Sequence, residues 1–288
     1  MPKIDVNKKR GMDVQVELET FWNDNKELEN SLNTLLPVTW NTDIGHTTSK
    51  VSNKKTDIYI PLGKNENGYY TFDLTLGRDI LIGGTMLSGV GMFRRVSLAS
   101  LIKTHNPENL KVIFIDNKKL LIDFYNIPYL QSQPAGTLDD SLNIIKWCQE
   151  ETERRLNILN NSNTTNISDY NKFKSIDKPF IPSIVIFITE LGDLIDIPNF
   201  DTLLYKIAGM TRVTNIHFII TTQQPSVNVI TPIIHDTFVN RIAFQMPYEA
   251  ESKLFIDRAG AEELLGQGDM IFKNGYDDKV IHMQGLHN

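Results

Sequence analysis

Four short apolar runs, separated by helix-length segments, restrict this chain more than anything else in it. They are Ile80 to Ile82, Lys111 to Asp116 (Lys-Val-Ile-Phe-Ile-Asp), Ile184 to Ile188 and Ile216 to Thr222. Runs so continuously apolar suit strands buried on both faces, and interleaved helices give a parallel sheet covered on both sides. The helices are expected over Gly91 to Lys103, Leu138 to Leu159 and Asp201 to Val213. Arg241 to Phe244 adds a strand, and Gly268 to Phe272 with Lys279 to Met283 reads as a C-terminal β-hairpin. Ahead of these, Ile58 to Ile60 and Tyr69 to Leu74 read as paired strands around a turn at Gly63 to Gly68. The polar stretch Asn160 to Ser168 is expected to be a mobile loop. No internal repeat and no strong linker divides the core. The chain is read as a polar segment, 1–56, with one helix (Leu18 to Leu36, ended by Pro37), followed by a single α/β domain, 57–288.

The first of the four strands leads into Gly83-Gly84-Thr85-Met86-Leu87-Ser88-Gly89-Val90-Gly91 and then a helix. Strand, glycine turn and helix in that order point backbone N–H groups at an anion. The spacing Gly84-x4-Gly89 fits the first half of the phosphate-loop (Walker A) pattern, but Val90 stands where lysine belongs and Gly91 where Ser or Thr belongs. That lysine would neutralise phosphate charge, and that hydroxyl would ligate Mg²⁺. The loop has the shape of a nucleotide site without its chemistry. Leu87 occupies a position where a positive φ would be uncomfortable for any side chain.

Composition narrows the partners. A net charge of −6, with 41% hydrophobic and 22% charged residues, suits a globular protein with a sizeable core and weighs against duplex nucleic acid as main partner. The single cysteine, Cys148, excludes an internal disulfide. No apolar run approaches the length of a membrane span.

Beyond the strand–loop–helix unit, several stretches resemble the motor domains of the FtsK/SpoIIIE family. They are Ile115-Asp116-Asn117-Lys118, Trp147-Cys148 with Glu153-Arg154-Arg155, Tyr170-Asn171, Thr222-Gln223-Gln224-Pro225-Ser226 and Asn240 to Phe244. The longest is Gly260-Ala261-Glu262-Glu263-Leu264-Leu265-Gly266-Gln267-Gly268-Asp269-Met270. The resemblance implies a RecA-like P-loop fold, with a mainly parallel sheet and helices on both faces. Within the family the chain looks most like the degenerate C-terminal ATPase domain of a type VII secretion coupling protein of the EssC/EccC kind.

That resemblance implies a vestigial nucleotide site at Gly84, Thr85, Ser88, Gly89, Val90, Gly91, Thr189, Glu190 and Gln223. Thr189 stands in place of the Walker B aspartate that would hold Mg²⁺, Glu190 where the catalytic base would be, and Gln223 where γ-phosphate would be sensed. With cation and metal ligands missing, no catalytic residue and no metal site are expected. No cofactor is expected either, ATP/Mg binding at most weakly. Glu190 and Gln223 are expected to serve as a helix cap and a strand-end hydrogen bond. Arg94 and Arg95 make a basic pair just after the loop that could partly replace the lysine, but arginines on a first helix are rather expected to face solvent or a neighbouring domain. Arg241 and Lys253 could act on a neighbour's site or form structural ion pairs, and His217 is expected to be a core histidine. Implied partners are preceding ATPase domains and helical-hairpin (WXG-type) export substrates. Strong nucleic-acid binding is not expected, and membrane contact would come through other parts of a protein at the cytoplasmic face of the bacterial cell membrane. The alternatives are a divergent but active ATPase and an FtsK-type DNA translocase module.

Overall fold

The computed structural model describes residues 58–77, 79–173, 179–275 and 279–285, together with positions 19, 20, 22, 23, 26 and 30. Apart from those six helical positions, the expected helix Leu18 to Leu36 lies outside the described residues. Trp22, one of the six, packs on the main core with the Lys103 ammonium 5.9 Å from its ring centre.

Nine strands form one sheet: β1 (Tyr59–Asn65), β2 (Gly68–Asp73), β3 (Ile80–Gly83), β4 (Leu110–Ile115), β5 (Ser183–Ile188), β6 (Ile216–Thr222), β7 (Asn240–Phe244), β8 (Asp269–Lys273) and β9 (Val280–Gln284). Their spatial order is β2-β1-β9-β8-β7-β3-β6-β5-β4. From β7 to β4 every pairing is parallel, whereas β8, β9, β1 and β2 extend the sheet antiparallel. The α-helices of six or more residues among the described residues are α1 (Val90–Thr104), α2 (Leu138–Ser162), α3 (Ile167–Lys172), α4 (Phe200–Ala208), α5 (Pro232–Thr237) and α6 (Glu249–Ile256).

Alternate residues of each parallel strand enter different cores, which is why the runs are apolar throughout. Ile80, Ile82, Val112, Phe114, Val185, Phe187 and Ile219 pack with α1 on one face. Leu81, Ile113, Ile115, Ile184, Ile186, Ile188, Phe218 and Ile220 pack with α2, α4 and α6 on the other. The expected C-terminal hairpin is β8–β9.

Three expectations change in detail. The first hairpin turns at Glu66-Asn67, because strand pairing continues to Asn65↔Gly68. The helix expected over Asp201 to Val213 breaks at Gly209 and Met210, and a separate turn, Thr211–Thr214, follows. Asn160 to Ser168 is not a loop throughout: α2 runs to Ser162, Asn163 ends it at φ 53, and the Asn166 side chain caps α3 by accepting from the Asp169 N–H. Asparagine tolerates the left-handed region and makes good N-caps, so a polar run that looks flexible is helix-end chemistry.

Several stretches that carry the family resemblance have structural roles. The Arg155 guanidinium is 1% exposed and donates to the Thr214 carbonyl (2.7 Å) and the Glu151 carboxylate, tying α2 to the start of β6. The Asn171 amide pairs with both backbone groups of Ile181 at 2.9 Å, imitating a strand. Cys148 is buried, which pushes its thiol pKa up and keeps it unreactive.

Candidate functional site

In an open parallel sheet ligands bind beyond the carboxyl ends of the strands. Here the residues of the expected site follow the carboxyl ends of three parallel strands, Gly84 to Gly91 after β3, Thr189 and Glu190 after β5, and Gln223 after β6. The connection from β3 to α1 is held on both sides. The Gly84 N–H donates to Thr222 O at 3.3 Å, and Thr85 N–H donates to Gln245 O at 2.8 Å. A Cβ on Gly84 would come within 2.6 Å of the Phe244 Cβ, so glycine is needed there for packing. Gly89 has φ 130, and a Cβ on it would meet Gly268 Cα at 2.8 Å. Gly268 in turn donates its N–H to Ser88 O at 2.7 Å. The long family-like run through Gly266, Gln267 and Gly268 is therefore a buttress under the loop. Leu87 does adopt a left-handed backbone, φ 65, with its side chain 90% exposed. An L-residue held there costs about 1–2 kcal/mol, which nothing in its own packing offsets.

The functional positions are filled by groups that bond to one another. Val90, at the lysine position, is 2% exposed and belongs to the hydrophobic core beside α1. Thr189 donates its hydroxyl to the Asp116 carboxylate at 2.7 Å. Asp116 is fully buried and also accepts from the Leu120 N–H (2.9 Å), the Leu121 N–H (2.8 Å) and the Tyr125 hydroxyl (2.9 Å). Glu190 accepts from the Thr222 hydroxyl (2.6 Å), the Gln223 N–H (2.9 Å) and the Gly192 N–H (3.2 Å). It caps the short helix Leu191–Leu194, as expected, and Gln223 takes part through its backbone at the strand end.

Arg94 departs from expectation. It faces neither solvent nor a neighbour: it is 3% exposed and reaches beneath the loop, donating Nη1–H to the Thr189 carbonyl (3.2 Å) and the Thr221 hydroxyl (3.1 Å). Its Nη2 lies 3.9 Å from where a Cβ on Gly91 would be. Burial pushes its pKa down to about 10, with Asp116 and Glu190 acting in the opposite direction. The guanidinium thus remains charged at neutral pH. The apolar turn of α1 that precedes it hid this from the sequence, because long cations on a first helix are ordinarily solvated. Arg95 lies outside this network, pairing with Asp123 at 2.6 Å over the Phe124 ring.

Asp116 was not among the expected site residues, although its place at the end of a parallel strand could have signalled it. Arg241 is a structural group rather than one acting on a neighbour. It is 2% exposed and donates to Phe238 O (2.8 Å), Phe255 O (3.0 Å) and Asp257 (3.0 Å). Lys253 pairs with Glu249 on an exposed helix face. His217 is a fully buried core residue, as expected.

The residues present do not fit a magnesium nucleotide. The Thr189 hydroxyl is committed to the Asp116 carboxylate, both carboxylates accept from protein donors, and the Arg94 guanidinium is bonded to the Thr189 carbonyl. Among the described residues, no group of three or more His, Cys, Asp or Glu side chains could hold a metal.

The profile of the FtsK/SpoIIIE family matches residues 46–263. The DNA translocase FtsK of Borreliella burgdorferi is 34% identical over 241 residues, covering 80% of this chain and 30% of the relative. The chain thus spans about a third of the curated relatives' length. Among solved structures, the pCW3 conjugation coupling protein TcpA superposes with a TM-score of 0.65 at 24% identity, over 80% of this chain and 66% of that one. The type VII secretion ATPase EccC of Thermomonospora curvata gives 0.71 at 18% identity, over 89% of this chain and 32% of that one. At such identities these likenesses speak for the fold alone, a P-loop NTPase fold. With the profile spanning most of the chain and a curated relative 34% identical over 80% of it, the chain belongs to the FtsK/SpoIIIE family.

Proposed function

We propose that this is a non-hydrolysing domain of an FtsK/SpoIIIE-type motor, kept for the contacts it makes with neighbouring ATPase domains and with cargo. One observation carries the reading: the Arg94–Thr189–Asp116 and Glu190–Thr222–Gln223 hydrogen bonds close the site on protein groups. A phosphate-transfer site needs a cation on the phosphates, a bound metal and a free base. None of these has a vacant side chain here. For the isolated domain, calorimetric titration with Mg-ATP is expected to give a Kd no tighter than millimolar, about −4 kcal/mol. A micromolar constant, or turnover above background, defeats the reading.

The cargo is assigned on different grounds. A net charge of −6 favours protein cargo over DNA held directly by this domain. A degenerate terminal domain of a type VII secretion coupling protein, at the cytoplasmic face of the membrane through other parts of that protein, suits this charge. The helical-hairpin export substrate would bind through its C-terminal tail. Binding of such substrates with and without the tail tests this, and tail-independent or absent binding counts against it. The second reading is a subunit or domain of a DNA translocase, and what favours it is the 34% identity with FtsK.

A further inference from the structure

Catalytic loss at Val90, Gly91 and Thr189 would leave a site that three substitutions could restore. The position of Arg94 argues otherwise. Its guanidinium, although buried, touches groups at the ends of both β5 and β6, and its Nη2 lies 3.9 Å from the Cβ site of residue 91. A hydroxyl introduced at that residue would meet a guanidinium rather than an ion. The Nε–H of Arg94 is buried with no hydrogen-bond partner, so the side chain is not held there by complete hydrogen bonding. Thr189 links it to the site, its carbonyl accepting from Arg94 while its hydroxyl donates to Asp116, and the charges of Asp116 and Glu190 act against the effect of burial on the guanidinium. Burying a cation is tolerated when opposite charge lies close by, and a like charge brought beside it is strongly disfavoured.

We propose that Arg94 stands permanently in place of the divalent metal, neutralising the site from within and excluding a metal–nucleotide complex. This rests on the non-hydrolysing reading and extends it: the site is blocked by the chain's own cation, beyond having lost its ligands.

The test restores the missing groups with Val90→Lys, Gly91→Ser and Thr189→Asp, in three backgrounds: Arg94 retained, Arg94→Met and Arg94→Lys. Mg-ATP binding is measured by calorimetry, with circular dichroism confirming that each chain is folded. The expected result is binding about 100-fold tighter with Arg94→Met than with Arg94 or Arg94→Lys. Equal affinity with Arg94 retained overturns the proposal, and so does the absence of binding in all three folded chains. Micromolar binding by the unaltered domain is a separate result that defeats the non-hydrolysing reading instead. Should the restored chains not fold, the single variants Arg94→Met and Arg94→Lys carry the test through their melting temperatures. Arg94→Met is expected to melt lower than Arg94→Lys, which keeps a cation near Asp116 and Glu190 without the guanidinium's hydrogen-bond geometry. An Arg94→Met domain that melts together with the Arg94→Lys domain overturns the proposal.

Discussion

Thr189 shows how one hydroxyl can change the meaning of a strand end. An aspartate at this position would bring its carboxylate against Asp116, whose oxygen lies 2.7 Å from the threonine hydroxyl, and the two would repel unless a cation intervened. Threonine instead gives Asp116 its fourth donor. Removing that donor with Thr189→Val is expected to cost about 1.5–3 kcal/mol, the range for a hydrogen bond to a buried charged group, read as a lower midpoint in urea. No change would mean that the other three donors suffice. His217, inside β6, carries a second residue-scale prediction. Burial first, and then the Arg155 charge, push its pKa from 6.5 to about 3. The folded state therefore keeps the ring neutral, while below pH 6.5 the unfolded chain takes up a proton. Unfolding then binds protons, so stability falls as pH drops from about 6.5 towards 3, by on the order of 4 kcal/mol over the window. His217→Leu removes the titrating ring and is expected to flatten the melting temperature between pH 6.5 and 4. A slope equal to that of the unaltered domain would assign the acid sensitivity to other groups.

Among the elements, the loop and the β7–β8 connection meet so closely at Gly89 and Gly268 that Gly89 has no room for a side chain. Gly89→Ala places a methyl against the Gly268 backbone at a φ of 130. The expected cost is about 2–4 kcal/mol, combining a strained conformation with overpacking. The loss should appear in hydrogen exchange of both segments together; protection lost only in the loop would uncouple them. This pairing also shows what the sequence could reveal. The strands were legible because burial on both faces leaves a continuous apolar run, and the loop because its glycine spacing follows from backbone geometry. The direction of Arg94 was not, since whether a guanidinium turns inward depends on carboxylates from β4 and β5 that only the folded sheet brings beneath α1. Asn163 and Asn166 were misread for a related reason: the same composition serves a loop or two helix caps, and only their φ angles distinguish these.

For the whole molecule, charge and ancestry point in different directions. The curated relatives are DNA translocases, yet the 29 basic residues here are outnumbered by 35 acidic ones. Duplex affinity comes mainly from releasing counterions as basic side chains meet phosphates, so a net acidic chain needs a locally basic face to grip DNA. Two of the arginines that could have formed one, Arg94 and Arg155, are buried and bonded within the fold, and Arg241 is too. Arg95 and Arg154 are paired with Asp123 and Glu151, which lowers their use to a phosphate backbone. The expected outcome is no sub-micromolar binding of a fluorescent duplex at physiological salt, with anisotropy unchanged up to tens of micromolar domain, about −6 to −7 kcal/mol at the limit. Sub-micromolar affinity that weakens steeply between low and high salt would show a phosphate-reading face on this domain and move its cargo to the translocase branch. If binding instead appears only when an intact FtsK/SpoIIIE-type ATPase domain is added, the grip belongs to that neighbour. This domain would then contribute contacts to its neighbour rather than a hand on the DNA.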